Sequence, residues 1–244
     1  MSRTSLLLAE QGSFFVNDQS VATSFASGYG TPGPGHVSVR GMYVQYRVPL
    51  ERDHRAHPVI MVPGAAHSGK PARRLPTDGW VGPSISCERA FRSTSSTVRA
   101  EAARDSTRHR RIGRSSEGDA ALVPNFWQFT NEQAWTIFRF GPTPFIPYEG
   151  MQFPVEAQEQ YFAQLVPSTE ASYPRAGQST IDALASLLDR VGPAVVLVHS
   201  LSGAHGISAA IARPDLVKAV VSIEPRSCAP SDADVQAVFA RIPR

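Results

Sequence analysis

The chain has 244 residues, 42% of them apolar, and a formal net charge of +3, which suits one α/β domain with a substantial core. No apolar run approaches the roughly 18 residues that span a bilayer, and Leu6-Leu7-Leu8-Ala9 is too short for the roughly 7-residue apolar centre of a secretory signal. Two cysteines, Cys87 and Cys228, make neither a disulfide framework nor a metal site. As written the chain reads as cytoplasmic with no membrane partner, export remaining open if the true start lies upstream.

From the N-terminus, Ser13-Phe14-Phe15-Val16 is a short apolar patch and residues 28–35 form a Gly/Pro-rich loop. Val37 and Val39, then Met42, Val44, Tyr46 and Val48, alternate with polar residues, and Arg40-Gly41 sits between the two runs. That pattern predicts an antiparallel hairpin turning at Arg40-Gly41. A charged loop leads into Pro58-Val59-Ile60-Met61-Val62, an apolar strand that stops at the small-residue loop Pro63-Gly64-Ala65-Ala66-His67-Ser68-Gly69. In open α/β sheets ligands bind past the carboxyl ends of strands. Such a loop can turn the Ala65 N–H toward a reacting carbonyl oxygen; the alternative is a plain strand-to-helix turn.

Past Lys70 the pattern breaks down. Residues 70–118 carry eleven Lys/Arg against five Asp/Glu, and their large apolar residues follow neither a 2.0 nor a 3.6 period. Three readings compete: a disordered insertion, a basic arm for nucleic acid, and a block translated out of frame. The arginines have no interleaved aromatics after Phe91 and lie between two sheet strands, which argues against nucleic acid. The out-of-frame reading is favoured because the helix and apolar strand that should follow Val62 are not found.

Order returns at Ala121. Asn125-Phe126-Trp127-Gln128-Phe129 and Glu132 to Phe140 are rich in aromatics, and a helix there is read either as a cap over an apolar pocket or as plain core, the cap region covering about residues 121–170. Pro154 opens a second predicted helix running to Val166, and Ser179 or Thr180 caps a third, amphipathic one ending at Arg190. Ala194 to Val198, bounded by Gly192-Pro193, reads as a strand buried on both faces.

After that strand come His199-Ser200-Leu201-Ser202-Gly203 and an Ala/Ile-rich helix ending at Pro214. Strand, tight turn and helix is the setting in which a serine is held at a strained bend with its hydroxyl exposed, so Ser200 is the candidate nucleophile. The G-x-S-x-G spacing is not met, since Val198 and Ser202 occupy the glycine positions; an ordinary loop serine is the alternative. A further strand from Leu216 to Ile223 ends in Glu224-Pro225. A carboxylate there shares the rim with Ser200 and suits the group that orients a catalytic histidine, or it merely caps the next helix.

These residues carry a family resemblance. The chain resembles bacterial α/β-hydrolase-fold esterases with a His-Ser-x-Ser-Gly elbow and a glutamate acid after the following strand. The matching stretches are residues 12–16, 36–49, 58–70, 134–142, 152–158, 199–203 and 221–225, including Ile137-Phe138-Arg139-Phe140-Gly141-Pro142 and Glu224-Pro225. The resemblance implies an α/β-hydrolase fold: one mostly parallel sheet with an N-terminal antiparallel hairpin and a helical cap, within a single incomplete domain over residues 1–244 whose last strands are missing. It implies cleavage of a small-molecule carboxylic ester through an acyl-enzyme, without cofactor or metal. Ser200 is then the nucleophile, Glu224 the acid, and the backbone N–H groups of Ala65 and Leu201 the oxyanion hole.

Some relatives have adjacent cysteines where Ala65-Ala66 stand here. The family's catalytic histidine follows the last strand, beyond Arg244. The alternatives to an active esterase are an inactive fragment or pseudoenzyme that keeps the pocket, and an Arg-rich nucleic-acid binder. A dehalogenase is disfavoured because that chemistry in this fold uses a carboxylate where Ser200 stands.

Overall fold

The computed structural model describes residues 7–23, 35–39, 41–50, 57–67, 97–101, 128–166 and 176–225, together with Ser231, Ala233, Gln236 and Ala240. Eight strands are formed: β1 Leu8–Val16, β2 Gln19–Thr23, β3 Gly35–Val39, β4 Met42–Pro49, β5 Val59–Val62, β6 Thr97–Glu101, β7 Ala194–His199 and β8 Val217–Ile223. The helices are α1 Asn131–Ile137, α2 Gln158–Phe162, α3 Ala176–Val191 and α4 Ser202–Ala212, with a 3₁₀ turn over Val155–Ala157. Six strands make one sheet in the order β1-β4-β6-β5-β7-β8, and β2 and β3 pair separately. β6, β5, β7 and β8 run parallel to one another, and β4 runs antiparallel to both of its neighbours, β1 and β6.

The apolar runs at β5 and β7 behave as the sequence suggests, because strands flanked on both sides in a parallel sheet bury both faces. All four residues of β5 are buried. One face of the sheet (Met42, Val44, Ile60, Val62, Val196, Val198) meets Leu184, Leu187 and Leu188 of α3 and Ala209 and Ala210 of α4. The other face holds a smaller cluster of Val59, Met61 and Leu197. Arg190 at the end of α3 stacks over Phe14, 3.7 Å from the ring centroid, and Arg213 clasps Asp189 through two bonds of 2.7 and 2.9 Å. These contacts fasten α3 to β1 and to α4.

The antiparallel hairpin does not turn at Arg40-Gly41. Val16 pairs with Met42 and Gln19 with Val39, so β1 and β2 form one arm of a continuous ribbon and β3 and β4 the other, in a single register across the break. The two arms are connected through residues 24–34, which lie outside the described residues. Gly41 instead lies within an arm, between β3 and β4, where the other arm carries Asn17, whose φ is 58°. Gly41 fits there because a Cβ would sit 3.3 Å from that of Asp18. The patch Ser13–Val16 belongs to β1, where Phe14 and Val16 face the core and Phe15 stacks outward on Tyr43 at 5.4 Å.

A strand does exist within the Arg/Ser-rich block. Thr97–Glu101 pairs antiparallel to β4 and parallel to β5, filling the gap between those two strands that the sequence left without an occupant. Its short Thr-Val-Arg-Ala-Glu run lacks the apolar signature of a central strand, so the backbone pairing on both edges is what identifies it. The remainder of residues 71–118, both cysteines, His54 and His109 lie outside the described residues. Helix α3 also starts earlier than expected, at Ala176, leaving Ser179 and Thr180 within the helix rather than at its cap.

Because Leu187 is fully buried between α3 and the sheet, Leu187→Ala should destabilise the fold by about 2–5 kcal/mol. Urea denaturation should read this as a lower midpoint at unchanged slope.

Candidate active site

Strand order brings the candidate residues together. β7 lies between β5 and β8, so the segments leaving its two neighbours, Pro63–His67 and Glu224-Pro225, flank the turn that leaves β7 itself. His199 is in register with Ile223, and the Ser200 N–H donates to the Ile223 carbonyl at 3.0 Å. Ser200 and Glu224 are therefore neighbours on one rim. Three non-glycine residues of this rim hold left-handed backbone: Ala66 at φ 60°, Ser200 at 52° and Glu224 at 43°. Such conformations cost roughly 1–3 kcal/mol each and persist only where the surroundings enforce them.

Close backbone packing supplies the enforcement. A Cβ on Gly64 would stand 2.9 Å from the Ser200 Cβ and 3.2 Å from the His199 carbonyl oxygen, so only glycine lets the loop after β5 reach the serine. The Ser202 hydroxyl donates to the Pro63 carbonyl, tying that loop to the start of α4. A Cβ on Gly203 would come within 2.6 Å of Pro225, so the segment after β8 lies against α4 as well. Leu201 opens α4 in helical geometry, φ −54° and ψ −35°. Its N–H belongs to the first helical turn, where intrahelical acceptors are lacking.

The departures from G-x-S-x-G are compensated. Val198, fully buried, stands where a small residue would let the helix approach the strand, and the space comes from α4 instead. A Cβ on Gly206 would lie 2.6 Å from Val198 Cγ1. Gly203, Gly206 and Ala210 recur at near-helical spacing and are buried, a pattern legible in the sequence that reasoning centred on the elbow overlooked.

Residues 128–166 build a second cluster in which Trp135, Phe140, Tyr161, Phe162 and Leu165 are buried. Helix α1 opens with a capping box between Thr130 and Gln133, worth about 1 kcal/mol. It closes at Arg139, whose left-handed turn (φ 60°) lets Phe140 N–H reach the Trp135 carbonyl at 3.0 Å. Arg139 Nη1 then stands 4.0 Å from Glu224 Oε1, both side chains largely exposed. The cluster also meets the loop after β5, where Val166 N–H donates to the Ala66 carbonyl at 3.0 Å.

The histidines have other engagements. His67 faces the aromatic cluster, its Nδ1 2.8 Å from the Ala65 carbonyl and its Nε2 2.8 Å from the Tyr161 hydroxyl. His205 is buried in α4 against Gly177 of α3. His199 turns its Nδ1 toward Gly64. Among the described residues no histidine hydrogen-bonds the Ser200 hydroxyl. Burial pushes His67 below the ordinary imidazole value, partly opposed by the Ala65 carbonyl and reinforced by His199. Burial also lowers His199, with Glu224 opposing. Burial raises the Tyr161 phenol, which keeps its proton. No group of metal-ligating side chains is found among the described residues.

Comparison with known proteins finds a solved bacterial esterase that is 31% identical, with a TM-score of 0.85 over 99% of this chain and 75% of that one. A probable secreted lipase of a Fungal sp. is 45% identical over 65 residues, which make up 27% of this chain and 17% of the lipase. No family model matches the chain.

Two outcomes test this geometry. Gly206→Ala should cost roughly 1–3 kcal/mol through overpacking, and adding Val198→Ala should cost less than the two single changes together; chemical denaturation of the four proteins checks this. Both His67 and His199 are lowered from 6.5, so below that pH the unfolded chain takes up protons that the folded chain refuses. Tm should therefore fall as pH drops from about 7 toward 5.5, and the fall should be shallower in a His67→Asn/His199→Asn double variant.

Proposed function

The chain belongs to the bacterial α/β-hydrolase-fold esterases, and from that premise we propose that it acts on a carboxylic ester of a small molecule through Ser200, with Glu224 as the acid. The observation that carries this reading is the left-handed Ser200 between β7 and α4, with the loop after β5 against one side of it and Glu224 against the other. In the proposed reaction Ser200 Oγ attacks the ester carbonyl carbon and passes its proton to an imidazole. The carbonyl oxygen becomes an oxyanion that accepts hydrogen bonds from the Ala65 and Leu201 N–H groups. Collapse expels the alcohol, which takes up that proton and leaves an acyl-Ser200 ester. Water then attacks the acyl carbon, releasing the carboxylic acid and restoring Ser200.

The acid's role is to hold the imidazole in its working tautomer and to offset the charge it acquires. In this reading the aromatic cluster of residues 128–166 is the cap over the site, joined to the rim through His67 and Arg139.

A second reading rests on one observation: no described histidine hydrogen-bonds the Ser200 hydroxyl. A serine without a base keeps its ordinary high pKa and attacks slowly. Under this reading the chain binds esters beside Ser200 with little turnover.

Fluorophosphonate labelling and hydrolysis of p-nitrophenyl acetate distinguish the two. The esterase reading expects both, each lost by about 1,000-fold or more in Ser200→Ala. Slow Ser200-dependent labelling with no turnover favours the binding protein, and labelling that survives Ser200→Ala refutes the nucleophile assignment.

A further inference from the structure

We propose that His67 is a positioning residue that aims the backbone N–H groups of the loop beside Ser200; the inference rests on the reading of Pro63–His67 as the oxyanion loop. A trans peptide is planar, and its C=O and N–H point to opposite sides. Fixing one carbonyl therefore fixes the direction of the N–H in the same peptide unit. The Gly64–Ala65 peptide, which carries the Ala65 N–H, has its carbonyl engaged by the His67 N–H at 3.4 Å. The next peptide, Ala65–Ala66, has its carbonyl held 2.8 Å from His67 Nδ1. One residue thus sets two consecutive peptide planes, and with them the directions of the Ala65 and Ala66 N–H groups.

His67 is itself anchored on its far side. With Nδ1–H donating to the Ala65 carbonyl, Nε2 carries the lone pair and accepts from the Tyr161 hydroxyl at 2.8 Å. Tyr161 is held in turn by Phe140 and Phe153, at ring centroid distances of 4.9 and 5.6 Å. Backbone pairing of His67 with Leu165 closes the attachment. The two bonds require the neutral Nδ1–H tautomer, and burial keeps the ring neutral. A ring present only for packing on Phe138 and Tyr161 would be replaceable by phenylalanine; a ring that orients peptide planes is not.

The test is saturation kinetics of Ser200 labelling by a fluorophosphonate, in the full chain and in the variants His67→Phe, His67→Asn and Tyr161→Phe. His67→Phe should lower the maximal labelling rate about 10-fold to 100-fold, with the half-saturating concentration changed by less than about twofold. His67→Asn, whose amide can donate to the Ala65 carbonyl, should recover much of that loss. Equal maximal rates in wild type and a folded His67→Phe overturn the proposal, as does His67→Asn being as slow as His67→Phe. If His67→Phe does not fold, Tyr161→Phe decides, since it removes a single hydroxyl: a maximal rate lowered by about threefold or more supports the proposal and an unchanged one overturns it. Absence of any Ser200-dependent labelling in the wild type overturns the nucleophile assignment and, with it, this role.

Discussion

The turn at Ser200 depends on how closely backbone can approach backbone. A serine in left-handed geometry at φ 52° holds that conformation only if the segments around it leave no room to relax. Here they leave none: Gly64 abuts the Ser200 Cβ, Gly203 abuts Pro225, and Gly206 abuts Val198. Each contact is tighter than a Cβ would allow, so three glycines in three places do the steric work that a local G-x-S-x-G concentrates at the turn. The parallel order β5-β7-β8 then delivers the small-residue loop and the carboxylate to either side of the serine.

Much of this was legible in the residues. The apolar runs at β5, β7 and β8 identify the central strands because burial on both faces leaves no polar alternation to misread. Ser200, Glu224, Ala65 and Leu201 are found on one rim, as the order of their strands implies. The hairpin was misplaced because Arg40-Gly41 has turn chemistry while the partner strands are distant in sequence: local patterning locates extended segments, but pairing is decided by register. Strand β6 escaped notice for the opposite reason, since its position is fixed by its neighbours' unpaired backbone and its composition says little. The compensation between Val198 and Gly206 is a tertiary fact, visible in sequence only as a stripe of small residues along α4.

His67 shows a different limit of sequence reading. A lone histidine in a loop of small residues invites comparison with a catalytic base, yet both its ring nitrogens are engaged, by Ala65 and by Tyr161, 94 positions further along the chain. Its value to the fold is that it helps to join the loop after β5 to the aromatic cluster, beside the Val166 N–H bond to the Ala66 carbonyl. Arg139 reaches toward the same rim from the same cluster. The cluster and the rim thus meet through polar contacts as well as through the His67 ring against Phe138 and Tyr161.

The ribbon formed by β1 to β4 has a consequence for how the gene can vary in length. Because one register runs from the Glu10–Val48 pair to the Thr23–Gly35 pair, codons gained or lost between Thr23 and Gly35 leave every cross-strand pair as it was. A single codon inserted at Asp18 or Arg40 instead displaces one arm by a residue, and a one-residue slip exchanges the core face of a strand for its solvent face. Phe15 would then replace Phe14 and Val16 against the core. Reading-frame-preserving changes thus leave the pairing intact between Thr23 and Gly35 and disturb it at Asp18 or Arg40, although both places carry small polar or glycine-containing sequence.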